Sequence, residues 1–484
     1  MNNKEFIDKC FNHKKKTAIY SQNKCFSYAQ MKKEINVIED FFYDKMLNRN
    51  CKIILFLDDS PYYVFLFWAC LLYGIEPILL NTKMETSKID FIIKDSNADY
   101  VITNNDGFNK ICKTSGINKT FFIDDIINHV TESCELHLTL DNPTFVLYTS
   151  GTTGSPKMVR HSLSDMKFCA QEFQKTELAF SSDDIIYSAS KIPFAFGFGN
   201  TVYLPFYAGS SVFVSNSSDL MSIKKNIKHY NVSVFLAVPT IYNGLLHLMN
   251  SNDLNNSFHE FISCGETLPS NLIKRWLKKF NFMIYEGMGT TEFLYTFVIN
   301  TPSNYKIGSV GKPLKGYKLS VVDSKMREIP YGEVGNLYVT GRSLDKDFNI
   351  NNSNEFKSML TGDKFYKDND GFFWYMGRTL DSFKINGNWV RAQDIENSLL
   401  KMNGIKEALV LPEYNNNELT SSAAYIVLEV GTKITKHYIK HFLRNTLPYF
   451  MIPKTYFVVE DISHGITDKK NRNIVKSMIK EELE

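Results

Sequence analysis

Tyr148-Thr149-Ser150-Gly151-Thr152-Thr153-Gly154-Ser155-Pro156-Lys157 follows directly on Thr144–Leu147, an apolar run that reads as a strand. Glycines, serines and threonines in such a loop turn backbone N–H groups and hydroxyls toward an anion, and Lys157 adds a positive charge. The stretch is therefore expected to cradle a polyphosphate. It is not a Walker A loop, because Gly154 is followed by Ser-Pro-Lys-Met rather than Lys-Ser or Lys-Thr.

Outward from this loop, helical apolar stretches such as Tyr62–Tyr73 alternate with short β-rich runs at Lys52–Leu57, Pro77–Leu80 and Tyr100–Thr103. That alternation predicts βα units around largely parallel sheets, an α/β fold. Between Ile307 and Thr340 the texture changes to strand-like runs with Gly and Pro turns, which predicts a small antiparallel or barrel-like unit. Beyond Gly377-Arg378 an α+β segment follows, with helices expected at Asp394–Met402 and Ile434–Leu447 and strands at Ala408–Leu411 and Ala423–Glu429. The expected division is a large N-terminal domain, 1–379, and a smaller C-terminal domain, 380–484.

Bulk properties narrow the function. The 484 residues exceed one ordinary domain of roughly 100–200. Lys plus Arg (55) nearly balances Asp plus Glu (52), for a net charge of +3, so no footprint for nucleic acid is expected. The longest apolar run stops at Glu76, short of the roughly 20 residues of a membrane span, and reads as a buried helix. Eight cysteines, without a CxxC pair and with none after Cys264, predict neither a disulfide framework nor a zinc site and fit a reducing cytoplasm. The polar start has no apolar signal-peptide core.

The TSGTTGSPK stretch resembles the phosphate-loop signature of the adenylate-forming superfamily of acyl-CoA synthetases, adenylation domains and luciferases. Further motifs in the same order extend the resemblance from about residue 17 to 475. Cys264-Gly265-Glu266-Thr267-Leu268 resembles the element bordering the adenine, and Gly287-Met288-Gly289-Thr290-Thr291-Glu292 the segment that follows it. In the latter, Thr291 can hydrogen-bond the α-phosphate and Glu292 offers the hard oxygen that Mg²⁺ prefers. Thr361-Gly362-Asp363 and Gly377-Arg378 resemble the paired elements holding the ribose. Near the C-terminus, Asp468-Lys469-Lys470-Asn471-Arg472 resembles the loop of the catalytic lysine, with Lys469 in that place, Lys470 its competitor, and Asp468 where the family has glycine. Leu380 stands where a hinge aspartate is common.

The resemblance implies two half-reactions. ATP first converts a carboxylic acid to acyl-AMP, with Thr149, Ser150, Gly151, Thr152, Thr153, Gly154, Lys157 and Lys469 around the phosphates. A thiol, from coenzyme A or from the phosphopantetheine of an acyl carrier protein, then takes the acyl group, with Lys384 and Gly387 beside its tunnel.

Ser190–Asn200, Thr291–Tyr295 and Gly387–Val390 resemble benzoate- and hydroxybenzoate-type ligases, which implies an aryl acid seated against Phe196, Gly197, Gly289 and Tyr295. Tyr295 occupies a place where such sequences commonly carry histidine. Lys436, Lys440 and Arg444 recur along one helix face that fits either solvent or an acidic carrier protein. The chain is expected to act as a monomer or homodimer. A non-catalytic nucleotide-binding homologue is the reading of another class.

Overall fold

Two sheets with parallel cores carry most of the chain, because its apolar β-runs are separated by helical segments long enough to cross over between parallel neighbours. The computed structural model describes residues 1–13, 15–22, 24–111, 119–129, 142–150, 156–254, 257–351, 353, 355–378, 382–385, 388–415, 418–429, 431–432, 434–462 and 479–482.

The first sheet has six strands, in the order Lys119–Phe122, Tyr100–Thr103, Lys52–Phe56, Glu76–Leu80, Thr144–Ser150 and Pro156–Ser162. Its first five strands run parallel and the last is antiparallel. The helix Pro61–Tyr73 makes one crossover. Ser60 caps it by accepting from the Tyr63 N–H, Pro61 opens it, and Gly74, at φ 93°, closes it in the left-handed region that glycine adopts without strain. Its residues from Tyr63 to Leu72 are all buried, which explains an apolar run without a polar face.

The second sheet has nine strands. Ile284–Gly289, Glu260–Ser263, Val234–Ala237, Ile185–Ser188, Ser211–Phe213 and Thr17–Tyr20 form its parallel centre, with Thr296–Ile299 and Lys312–Pro313 on one flank and Cys25–Ser27 on the other. The expected small β unit is the antiparallel sheet Lys318–Val322, Gly335–Gly341, Lys357–Lys367 and Phe373–Arg378. Gly311 joins it to the second sheet through a bridge to Phe373. A Cβ at Gly311 would lie 2.0 Å from the Ile299 carbonyl carbon, and its φ is +96°, so only glycine passes there.

Past residue 381, the hairpin Ser382–Ile385/Asn388–Arg391 leads into helix Ala392–Leu399. A second four-stranded sheet, of Ile405–Asn415, Glu418–Leu428, Thr455–Val459 and Ile479–Glu482, packs with helix Lys436–Arg444. This segment has its own core, including Val390, Ile395, Val410, Ile426, Ile439 and Tyr456. Its first two strands outrun the expected ones at Ala408–Leu411 and Ala423–Glu429, because the hairpin continues through polar residues that the ladder pairs. Leu380 lies outside the described residues, and among these no helix is long and apolar enough to cross a membrane.

Phe67, on the buried crossover helix, meets Phe145 of the first sheet and Phe198 of the aromatic segment edge-on, at 5.3 and 4.9 Å between centroids. Phe67→Ala should lower the free energy of unfolding by about 3–5 kcal/mol, measured by urea denaturation.

Candidate active site

The loop quoted first connects two antiparallel strands. The strand expected at Thr144–Leu147 continues to Ser150, and Lys157 lies on the return strand, with its backbone opposite Thr149. Tyr148 and Thr149 fit a pleated surface, and ladder pairing recruits them from the expected loop. Lys157 is exposed. At the base of the hairpin, Arg160 donates from Nε to Glu76 Oε1 at 2.8 Å and from Nη2 to Oε2 at 3.3 Å, and the Thr144 hydroxyl donates to the same carboxylate at 2.6 Å.

The return strand also holds the turn Thr291–Phe293. Fully buried His161 donates from Nε2 to the Thr291 carbonyl at 2.7 Å. The Arg160 N–H donates to buried Asp345 Oδ2 at 2.7 Å, while the Asp345 N–H donates to the Glu292 carbonyl at 2.9 Å. Ser343 adds a bond to the Phe293 carbonyl at 2.9 Å. The Glu292 carboxylate makes no ion pair among the described residues, and the buried Thr290 Oγ1 has no hydrogen-bond partner there. A half-buried carboxylate and an orphaned hydroxyl are thus set beside the hairpin.

Gly265, Glu266 and Thr267 form an exposed turn after the strand Glu260–Ser263. Gly265 has φ +94°, and a Cβ there would meet only Val238 Cγ1, at 3.6 Å, which leaves room for a flat ring. Glu266 accepts from the Thr240 hydroxyl at 2.9 Å. Beneath the turn, buried Glu286 accepts from the Leu268 N–H at 2.9 Å. Burial pushes its carboxyl up to about 8, against that hydrogen bond and the Arg391 charge, which lower it.

Met288 and Gly289 end the strand that carries Glu286 and Gly287, and pair with Val298 and Thr296. Asp363 and Arg378 are cross-strand partners in the small sheet, with Arg378 Nε 3.8 Å from Asp363 Oδ1. Asp363 is buried and Arg378 exposed at its side chain. On the aromatic side, the Phe196 and Tyr295 rings lie within 21° of parallel at 6.2 Å between centroids. The Tyr295 hydroxyl donates to Asn200 Oδ1 at 2.6 Å. Gly197 packs so tightly on the Lys191 carbonyl that a Cβ would come within 2.1 Å of its oxygen.

Gly151, Thr152, Thr153, Gly154, Gly387, Lys469 and Lys470 lie outside the described residues, as do the side chains of Ser150 and Lys384. Sequence reasoning missed His161, Asp345, Asn200 and Glu286. Of these, Asn200 closed the quoted Ser190–Asn200 stretch without a role of its own, and Glu286 carried a local signal: a carboxylate within an apolar strand, directly before Gly287.

The model of the AMP-binding enzyme family matches residues 6–346, and that of the AMP-binding enzyme C-terminal domain matches 394–469. The chain belongs to the AMP-binding enzyme family. It is similar to the 4-hydroxybenzoate–CoA/benzoate–CoA ligase of Rhodopseudomonas palustris, 25% identical over 96% of this chain and 91% of the relative. Among solved structures, the O-succinylbenzoate coenzyme A synthetase of Bacillus subtilis in complex with AMP superposes with a TM-score of 0.87 at 21% identity, covering 100% of both chains. An anthranilate CoA ligase in complex with anthranoyl-AMP gives 0.84 at 22%, covering 99% of this chain and 97% of that one.

Glu286 has a folded-state pKa raised above the ordinary 4.5, so the native protein holds a proton there that the unfolded chain has lost. Its contribution to stability therefore falls as pH rises from about 4.5 to about 8. In Glu286→Gln, the decline of unfolding free energy across that window should become shallower, by up to about 1.4 kcal/mol per pH unit, in denaturant titrations at stepped pH.

Proposed function

We propose that this chain activates an aryl carboxylic acid with ATP and passes the acyl group to the thiol of coenzyme A. The observation that carries the reading is the bonding of the phosphate hairpin to the Thr291–Phe293 turn, through His161 and Asp345. It ties the strand that carries Lys157 to the turn that carries Glu292, and a cation and a carboxylate belong to the set that a polyphosphate with a divalent cation requires. The aryl-CoA ligase among the relatives and the aromatic walls Phe196 and Tyr295 support the choice of acid.

A carboxylate reacts poorly with a thiol, because oxide is a poor leaving group. In the first half-reaction a carboxylate oxygen bonds to the α-phosphorus and the bond to pyrophosphate breaks. The N–H groups of Thr149 to Gly154, with Lys157, offset charge on the phosphates. Thr290 and Thr291 donate to the α-phosphate, and the orphaned Thr290 hydroxyl fits that part. Glu292 would hold Mg²⁺, which takes one or two carboxylates alongside phosphate oxygens and neutralises charge in the leaving pyrophosphate. Asp363 accepts from the ribose hydroxyls with Arg378 beside it, and Gly265, Glu266, Thr267, Gly287 and Met288 border the adenine. Lys469 bridges carboxylate and α-phosphate. In the second half-reaction the 380–484 domain turns to bring Lys384 and Gly387 to the acyl carbon; the thiol sulfur bonds to it and AMP departs.

A carrier-protein phosphopantetheine is the alternative acceptor, for which Lys436, Lys440 and Arg444 of helix Lys436–Arg444 would offer a basic face that fits solvent as well.

Acid-dependent exchange of pyrophosphate into ATP, across benzoates, hydroxybenzoates, cinnamates and fatty acids, tests the reading. Exchange with an aryl acid is expected, and Lys469→Ala should lower it about 10²–10³-fold while Lys470→Ala leaves it near wild type. Exchange with no acid would favour a nucleotide-binding protein without turnover. Thioester formation with holo carrier protein but not with coenzyme A would reassign the acceptor. Asp363→Ala should weaken ATP binding about tenfold or more in calorimetric titration, through loss of a charged hydrogen-bond acceptor.

A further inference from the structure

Helices Leu220–His229, Pro239–Leu248 and Ser270–Phe280 cover one face of the second sheet. The chain crosses that sheet in one direction, from Ser211–Phe213 through Val234–Ala237 and Glu260–Ser263 to Ile284–Gly289, and right-handed crossovers place all three helices on the same side. Their apolar sides, with Ile223, Ile227, Leu245, Leu272 and Trp276, share one core. Their other residues make the layer cationic: the three helices hold six lysines and Arg275, and neither aspartate nor glutamate. Of the chain's 55 Lys and Arg these are seven, and the remaining 48 fall below the 52 Asp and Glu, so a positive layer sits on a chain that is otherwise slightly negative.

The carboxylates of the connecting segments leave most of that charge unpaired. Asp219 accepts the Ser222 N–H at 2.8 Å as a helix cap, Glu260 is buried, and Glu266 accepts from Thr240 at the sheet's carboxyl edge. Asp253 pairs with Lys224 at 2.9 Å, and Lys279 donates to the Leu246 carbonyl at 2.8 Å. Lys225, Lys228, Lys274, Arg275 and Lys278 are exposed and form no ion pair among the described residues. A helix C-terminus attracts cations, which accounts for Lys228 and Lys278 in the last turns but not for Lys225, Lys274 and Arg275. Met221 and Leu248 are exposed apolar side chains of the same layer.

We propose that this three-helix face docks the chain on an anionic lipid surface. Six of its seven cations are lysines. A lysine ammonium is a compact point charge without the planar fork that matches one carboxylate, so it suits a fluid layer of headgroups better than the fixed carboxylates of a folded partner. Met221 and Leu248 enter between the headgroups while the ammonium groups stay at the level of the lipid phosphates. The candidate nucleotide site lies along the carboxyl edge of the same strands, so lipid against the helices leaves it open.

The test sediments the full chain with vesicles of phosphatidylcholine, alone or mixed with phosphatidylglycerol, at low and at high salt. Partition is expected onto the anionic vesicles only, and high salt should reverse it. Lys225→Glu with Lys274→Glu should weaken that partition about tenfold or more, while Lys436→Glu with Lys440→Glu, an equal change of net charge on another helix, should shift it by less than about twofold. Lys225→Gln with Lys274→Gln should weaken it to a smaller extent, and keeps the test open if the charge-reversed pair does not fold by circular dichroism. No partition at low salt, equal partition onto neutral vesicles, or equal loss in the two charge-reversed pairs would overturn the lipid face. Binding to poly-glutamate without binding to vesicles would overturn it in favour of an acidic protein partner.

Discussion

In the proposed site, a carboxylate that faces a polyphosphate has to stand at a set place relative to the strands flanking the phosphate loop, and backbone alone does not hold two distant segments in register. Here two hydrogen-bond paths do so. His161, on the return strand of the hairpin, takes the Thr291 carbonyl, and Asp345 joins the Arg160 N–H to the Glu292 carbonyl. His161 and Asp345 are both buried, so these bonds form away from competing water and are strengthened by the low local dielectric. Glu76 holds the same stretch of strand through the Arg160 side chain.

The larger architecture serves that junction. Parallel strands of an open sheet end at a common edge, and crevices outside the carboxyl ends of such strands are where α/β proteins bind ligands. The hairpin grows from the carboxyl end of Thr144–Ser150 in one sheet, and the Gly287–Glu292 segment from the carboxyl end of Ile284–Gly289 in the other. Gly311 then lets the small sheet, with Asp363 and Arg378, approach the second sheet's backbone more closely than any other residue would permit.

The interior of the site is polar where a packed core would be apolar. Glu286 lies buried beneath the turn that begins at Gly265 and spends one oxygen on the Leu268 N–H. Asn200 is fully buried and spends its carbonyl on the Tyr295 hydroxyl. Each buried polar group costs stability unless it is satisfied, so each is a place where packing has been set aside to fix the orientation of a neighbour. In both cases the neighbour is a segment that sequence similarity associates with binding.

Residues 148–157, 287–292, 361–363 and 377–378 stood out in the chain by itself as candidates for the proposed site, because phosphate, ribose and metal chemistry require particular residue types at short local spacing. The alternation of apolar β-runs and helices announced the parallel sheets in the same way, through local periodicity and the burial each period demands. The strand ends were not legible: Tyr148 to Ser150 read as loop, and only pairing with 156–158 made them strand. Nor were His161, Asp345 and Asn200. They act on partners 130, 185 and 95 residues away in the chain, and such partnerships have no sequence period, since they exist only once the two sheets have packed. Local chemistry thus determined which residues could form a nucleotide-binding site, and long-range packing decided which buried side chains hold them in place.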